Sequence, residues 1–143
     1  MAALVLRVIG VRMRKARILV VDDEPSVVDA LKIILSDKGY DAATAGTARD
    51  AFELARRHEY DIAIIDLKLP DMPGLAVLSR IAQSSPDVVG ILITAYDSPE
   101  VRADAAASGF AAVLVKPFLP RDLLDSLSGI LSRRPAKPGF TER

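Results

Sequence analysis

Five short strand-like runs, each followed by a stretch with helical spacing, leave this chain few folds to choose from. The runs lie at 18–21, 41–45, 62–65, 88–93 and 111–115. Four are continuous apolar segments, the pattern of strands covered on both faces. The run at 41–45 is Ala-rich and weaker, as expected of a strand at a sheet edge. Between them the apolar residues recur every three or four positions. Val27, Leu31, Ile34 and Leu35 form one such stripe, Ala51, Leu54 and Ala55 a second, and Leu75, Leu78 and Ile81 a third. The stretch 99–108 is Ala-rich and only weakly amphipathic, and Leu123, Leu124, Leu127 and Leu131 make the last stripe. Strict strand–helix alternation predicts one parallel sheet with helices on both faces, joined by right-handed crossovers. Punctuation supports the boundaries. Pro25, Pro99 and Pro120 open helices, Thr47 caps one, and Gly39 and Gly109 sit where left-handed caps end them. The third helix is predicted to run from Gly74 to Ser84.

The chain has 143 residues, half of them hydrophobic, enough for one domain with a full core. It has no cysteine, which excludes disulfides and thiolate metal sites. The formal charge is zero but unevenly spread. Residues 18–132 hold 10 of the 19 Lys and Arg and 18 of the 19 Asp and Glu, a balance of −8. An acidic body with basic ends argues against nucleic-acid binding by the body. The apolar stretch at the start is too short and too interrupted to span a bilayer. The expected organisation is a flexible extension at 1–16, with Met13 as an alternative start, a domain at 17–132, and a Pro-rich tail or linker from 133 to 143.

Chemistry concentrates at the strand ends. In a parallel sheet every carboxyl end faces one edge, where open α/β sheets bind ligands. The first run delivers Asp22 and Asp23 there, the third Asp66, the fourth Thr94 and the fifth Lys116. Each alone reads as an ordinary residue: an acid near a helix start, a strand-end hydroxyl, a solvated lysine. Together they place three carboxylates, a hydroxyl and an ammonium at one edge. Like-charged carboxylates need a cation, and magnesium, which prefers oxygen ligands, suits them. A carboxylate nucleophile beside a cation, an ammonium and a hydroxyl meets the needs of phosphoryl transfer. No glycine-rich phosphate loop is present, which weakens any nucleotide-binding reading. His58, the only histidine, lies in a polar helix end and reads as a surface residue.

Four motifs carry a resemblance: Val-Val-Asp-Asp-Glu (20–24), Asp-Leu-Lys-Leu-Pro-Asp-Met-Pro-Gly (66–74), Ile-Thr-Ala (93–95) and Lys-Pro-Phe (116–118). In this order, at strand ends, they resemble the response regulator receiver domain of two-component signalling, over about residues 16–132. The resemblance implies a flavodoxin-like (βα)5 three-layer sandwich with parallel strand order 2-1-3-4-5. It implies a non-enzymatic cytoplasmic phosphoprotein whose Asp66 accepts a phosphoryl group from a sensor histidine kinase or phosphotransfer protein. Asp23 and Asp66 would ligate Mg2+ with the Lys68 backbone carbonyl, supported by Asp22. Thr94 and Ala95 would form the switch segment, Lys116 would pair with the phosphoryl group, and the Lys116–Pro117 bond would be cis.

One position departs from the family. An aromatic residue is usual three positions before the lysine, and here Val113 stands there. A branched aliphatic side chain cannot make a ring swing, which leaves the exposed Tyr96 or a loop movement to carry the readout. Output would pass to a downstream effector protein, a C-terminal output domain or a homodimer. Two rivals are a docking module that is never phosphorylated and, less well supported, a phosphatase with an aspartyl-phosphate intermediate. The second would want a paired Asp two residues apart on the first strand, which Asp22-Asp23-Glu24 does not supply.

Overall fold

The computed structural model describes residues 15–133. The extension and the Pro-rich tail expected from the sequence fall almost wholly on 1–14 and 134–143, outside the described residues. The order of elements is β1 (Arg17–Val21), α1 (Pro25–Asp37), β2 (Asp41–Ala45), α2 (Ala48–Arg57) and β3 (Ile62–Asp66). A 3-10 turn (Gly74–Ala76), α3 (Val77–Ile81), β4 (Val89–Thr94), α4 (Pro99–Ala107), β5 (Phe110–Val115) and α5 (Pro120–Ser132) follow. All strand pairs are parallel, in the order β2-β1-β3-β4-β5. The fold is therefore the flavodoxin-like sandwich, and the Ala-rich β2 lies at an edge.

Side chains leave a strand on alternate faces, so the central strands feed two cores. Ile18, Val20, Ile62, Ile64, Ile91 and Ile93 pack with Leu31 and Leu35 of α1 and with Leu123, Leu127 and Ile130 of α5. Leu19, Val21, Ala63, Ile65 and Leu92 face the other way, against α2, α3 and Ala105 of α4. Burying one such Ile or Leu contributes about 1.5–3 kcal/mol, and Ile18, Leu19, Ile62, Ile64, Ile91 and Leu92 are among the side chains fully buried. Hydrophobic burial thus fixes the strands that present the acids. The helix stripes are sorted as expected, except that Ile130 is buried while Leu124 and Leu131 are only partly so. Gly39 and Gly109 both take positive φ at helix ends.

The third helix is shorter than the sequence suggests. It enters through a 3-10 turn and ends at Ile81, not Ser84. Ser85 precedes Pro86, and the residue before proline is steered away from helical ψ. The Ser85 hydroxyl is also buried, accepting the Tyr60 N–H at 2.8 Å. That tertiary bond holds the chain out of the helical path.

Candidate functional site

The site grows from the ends of β1, β3, β4 and β5. Beyond β3 the chain closes a tight loop: the Leu67 N–H donates to the Ile93 carbonyl at 2.9 Å and the Gly74 N–H to the Leu67 carbonyl at 2.8 Å. Gly74 has to be glycine, because a Cβ there would lie 1.9 Å from the Asp66 carbonyl oxygen. Beyond β1, Asp22 Oδ1 accepts the Glu24 N–H at 2.9 Å, which turns the chain into α1. The Lys116 N–H donates to the Thr94 carbonyl at 2.7 Å, so the ends of β4 and β5 stay in register. The Lys116–Pro117 peptide is cis.

The carboxylates of Asp22, Asp23 and Asp66 each offer an oxygen, and these lie within 4.8 Å of one another. Asp22 and Asp66 are buried and Asp23 is exposed. Lys116 Nζ lies 2.9 Å from Asp22 Oδ2, 2.8 Å from Glu24 Oε1 and 3.5 Å from Asp66 Oδ2. Three carboxylates thus share one ammonium, with Asp23 beside them. Burial, then the charge of Asp22, pushes the Asp66 carboxyl above its ordinary range, and Lys116 only partly opposes them. Burial alone would lower the lysine, but Glu24, Asp22 and Asp66 outweigh it and hold its pKa above the usual value. At an effective dielectric of 20, two carboxylate oxygens 4.8 Å apart repel by about 3 kcal/mol. The cluster is charge-frustrated.

A hard divalent cation fits this donor set. The ligand atoms are all oxygens, and Asp22 Oδ2 is buried without a well-directed hydrogen bond, balanced only by the nearby ammonium. Oxygen donors, with one or two carboxylates beside retained waters and a phosphate, are what magnesium takes.

Thr94 ends β4 fully buried, and its Oγ accepts the Tyr96 N–H at 2.8 Å. Ala95 beside it is exposed and lines, with Glu24, Lys116 and Pro117, the rim of an apolar cavity of about 570 Å3. Lys68 sits in the loop after Asp66, bridged to Pro73, with its ammonium over the Tyr96 ring. Val113 is half-buried on β5, opposite Leu92, against the core shared with α2 and α3. His58 is exposed. Among the described residues no helix is long and apolar enough to cross a membrane.

Two contributors escape sequence reasoning. Glu24 was legible as a third acid, yet its hold on Lys116 depends on residues 92 positions apart. Asp71 caps α2 from a different loop, accepting the N–H groups of Ala48 and Arg49 at 2.9 and 3.0 Å. No local spacing reveals that.

A five-stranded parallel sheet in the order β2-β1-β3-β4-β5, with acids, a hydroxyl and a lysine at its carboxyl edge, places the chain in the class of flavodoxin-like signalling modules. The response regulator receiver domain family matches residues 18–128, and the chain belongs to it. A probable transcriptional regulatory protein of Mycobacterium tuberculosis, TcrX, is 34% identical over 116 residues, 81% of this chain and 50% of that protein. A CheY-like receiver from Methanospirillum hungatei has a TM-score of 0.78 at 34% identity, covering 83% of this chain and 95% of that one. The Thermotoga maritima response regulator TrrA, solved in complex with magnesium and beryllium fluoride, has a TM-score of 0.71 at 33% identity, covering 80% and 98%. The chain spans half or less of the length of the curated relatives it matches, from 50% down to 24% among the first of them.

Proposed function

We propose that Asp66 is a phosphoacceptor, loaded from a phosphohistidine of a sensor kinase or phosphotransfer protein in a magnesium-dependent reaction. The observation that carries this reading is a buried carboxylate with oxygens of two further acids within 4.8 Å and an ammonium 3.5 Å away. A carboxylate oxygen of Asp66 attacks phosphorus while the P–N bond breaks. The histidine nitrogen keeps the electron pair and takes a proton, and an acyl phosphate remains on Asp66. Asp22, Asp23 and Asp66, with the Lys68 carbonyl, would hold the magnesium, which when bound neutralises charge on the phosphoryl oxygens. Lys116 donates to a second oxygen of the group after giving up its contact with Asp66. Thr94, with Ala95 leaving room beside it, donates its hydroxyl to a third.

The donor needs a surface next to the site. The apolar cavity lined by Val27, Ala30, Ile34, Pro117 and Phe118 opens beside Lys116 and supports docking of a helical phosphodonor there. The domain occupies 17–132 and acts as a cytoplasmic signalling switch, without turnover of a substrate of its own. Its charge change biases a bistable surface. That surface acts on a downstream effector or an attached output domain, or by pairing two copies.

Val113 supports the rival reading of a docking module that is never phosphorylated, since it lacks the aromatic readout. Borohydride decides between them. An acyl phosphate at position 66 is reduced to homoserine, which peptide mass mapping identifies after treatment with a small phosphodonor. Unreduced Asp66 in every digest overturns the proposal.

A further inference from the structure

Tyr96 has no part in the chemistry above, yet it touches both loops that flank Asp66. Its N–H donates to Thr94 Oγ at 2.8 Å, and the Thr94 hydroxyl lies 3.4 Å from the Tyr96 carbonyl oxygen. The residue is 55% exposed, and its ring lies under the Lys68 ammonium, 4.0 Å from Nζ to the ring centre. Lys68 belongs to the loop that leaves Asp66, whereas Tyr96 belongs to the loop that leaves β4. The cation on the aromatic face therefore ties the two loops together.

We propose that Lys68 and Tyr96 form a clasp that holds the Thr94 hydroxyl away from the phosphoacceptor, and that loading Asp66 opens it. The inference rests on the phosphoacceptor reading. Thr94 is fully buried, so its hydroxyl has no water to turn to and exchanges one protein partner for another. Donating to an oxygen on Asp66 takes the hydroxyl proton off the Tyr96 carbonyl. The N–H of Tyr96 is bound to the same oxygen atom, so the segment 94–96 moves as a unit. That movement draws the Tyr96 ring off the Lys68 ammonium. Lys68 and Tyr96 are positioning residues that act through Thr94, and their attraction opposes the switch.

The test is a titration of magnesium and beryllium fluoride, a tetrahedral phosphoryl mimic, into five proteins. These are the wild type, Lys68→Met, Tyr96→Leu, the double variant, and Tyr96→Phe, which keeps the ring. An exposed cation–π contact predicts apparent affinity tighter by about two- to fivefold in each broken variant. The double variant should gain no more than either single one, and Tyr96→Phe should bind like the wild type. By NMR, the wild-type Lys68 ε-methylene signal starts upfield under the ring current and returns to its ordinary position at saturation. Unchanged or weaker affinity in the broken variants, or an upfield signal that persists at saturation, overturns the clasp and leaves the phosphoacceptor reading standing. Absence of saturable binding in the wild type removes both.

Discussion

Replacing Asp66 by asparagine should stabilise the metal-free protein and reverse its response to magnesium. The contributions can be worked from the geometry. Asp22, within 4.8 Å, repels the Asp66 charge by about 3 kcal/mol at an effective dielectric of 20. Asp23 adds less because water screens it. Lys116 at 3.5 Å returns about 4–5 kcal/mol on the same scale. The pairwise contributions nearly cancel, so burial decides, and it acts against the charge. This agrees in sign with the raised Asp66 carboxyl. A group whose folded pKa is raised binds more protons folded than unfolded. Stability therefore falls as pH climbs from the ordinary carboxylate value, near 3.9, through the folded one. Asp66→Asn deletes that fall, so in chelator at pH 7 it should gain on the order of 1 kcal/mol in urea unfolding. Magnesium at a hundred times its dissociation constant should stabilise the wild type by about 2.7 kcal/mol and the variant much less. A variant less stable than the wild type in chelator would refute the reasoning, because burial would then not outweigh the attraction of Lys116 for the Asp66 charge.

Three further outcomes follow from single contacts. Gly74→Ala brings a Cβ against the Asp66 carbonyl oxygen, so the loop must shift; unfolding should show a loss of about 1–3 kcal/mol and acyl phosphate formation should slow. Ile64→Ala, at a fully buried position in the central strand, should cost about 2–5 kcal/mol in the same assay. Asp71→Ala removes the acceptor that caps α2. The Ala48 and Arg49 amides hold the Asp71 carboxyl below its ordinary range, so its contribution is complete above about pH 3.9 and is lost as pH falls through the folded value. The difference between this variant and the wild type should vanish in acid, and a difference that stays constant with pH would contradict the cap.

The layers of this protein were legible because they rest on periodicity. Apolar runs at 18–21, 62–65 and 88–93 and the helix stripes state which faces are covered, and the two cores use them so. The convergence of Asp22, Asp23, Asp66, Thr94 and Lys116 was legible because a parallel sheet sends every strand end to one edge. What spacing could not convey were contacts made by loops across the fold. Ser85 stops α3 early by binding the Tyr60 amide, Asp71 caps a helix that begins 23 residues before it, and Glu24 claims Lys116. Each depends on where a side chain lands after the layers have packed. The strand order itself came from family likeness, since alternation alone permits several orders.

The claim on which the account turns is that acids from β1 and β3 gather a divalent ion beside an aspartate that takes up phosphorus. Intact mass after exposure to acetyl phosphate, across a magnesium titration, addresses it most directly. The account predicts a gain of one phosphoryl group that saturates with magnesium, disappears in chelator and is absent in Asp66→Asn. An unchanged mass at saturating magnesium, or an equal gain in Asp66→Asn, would contradict it.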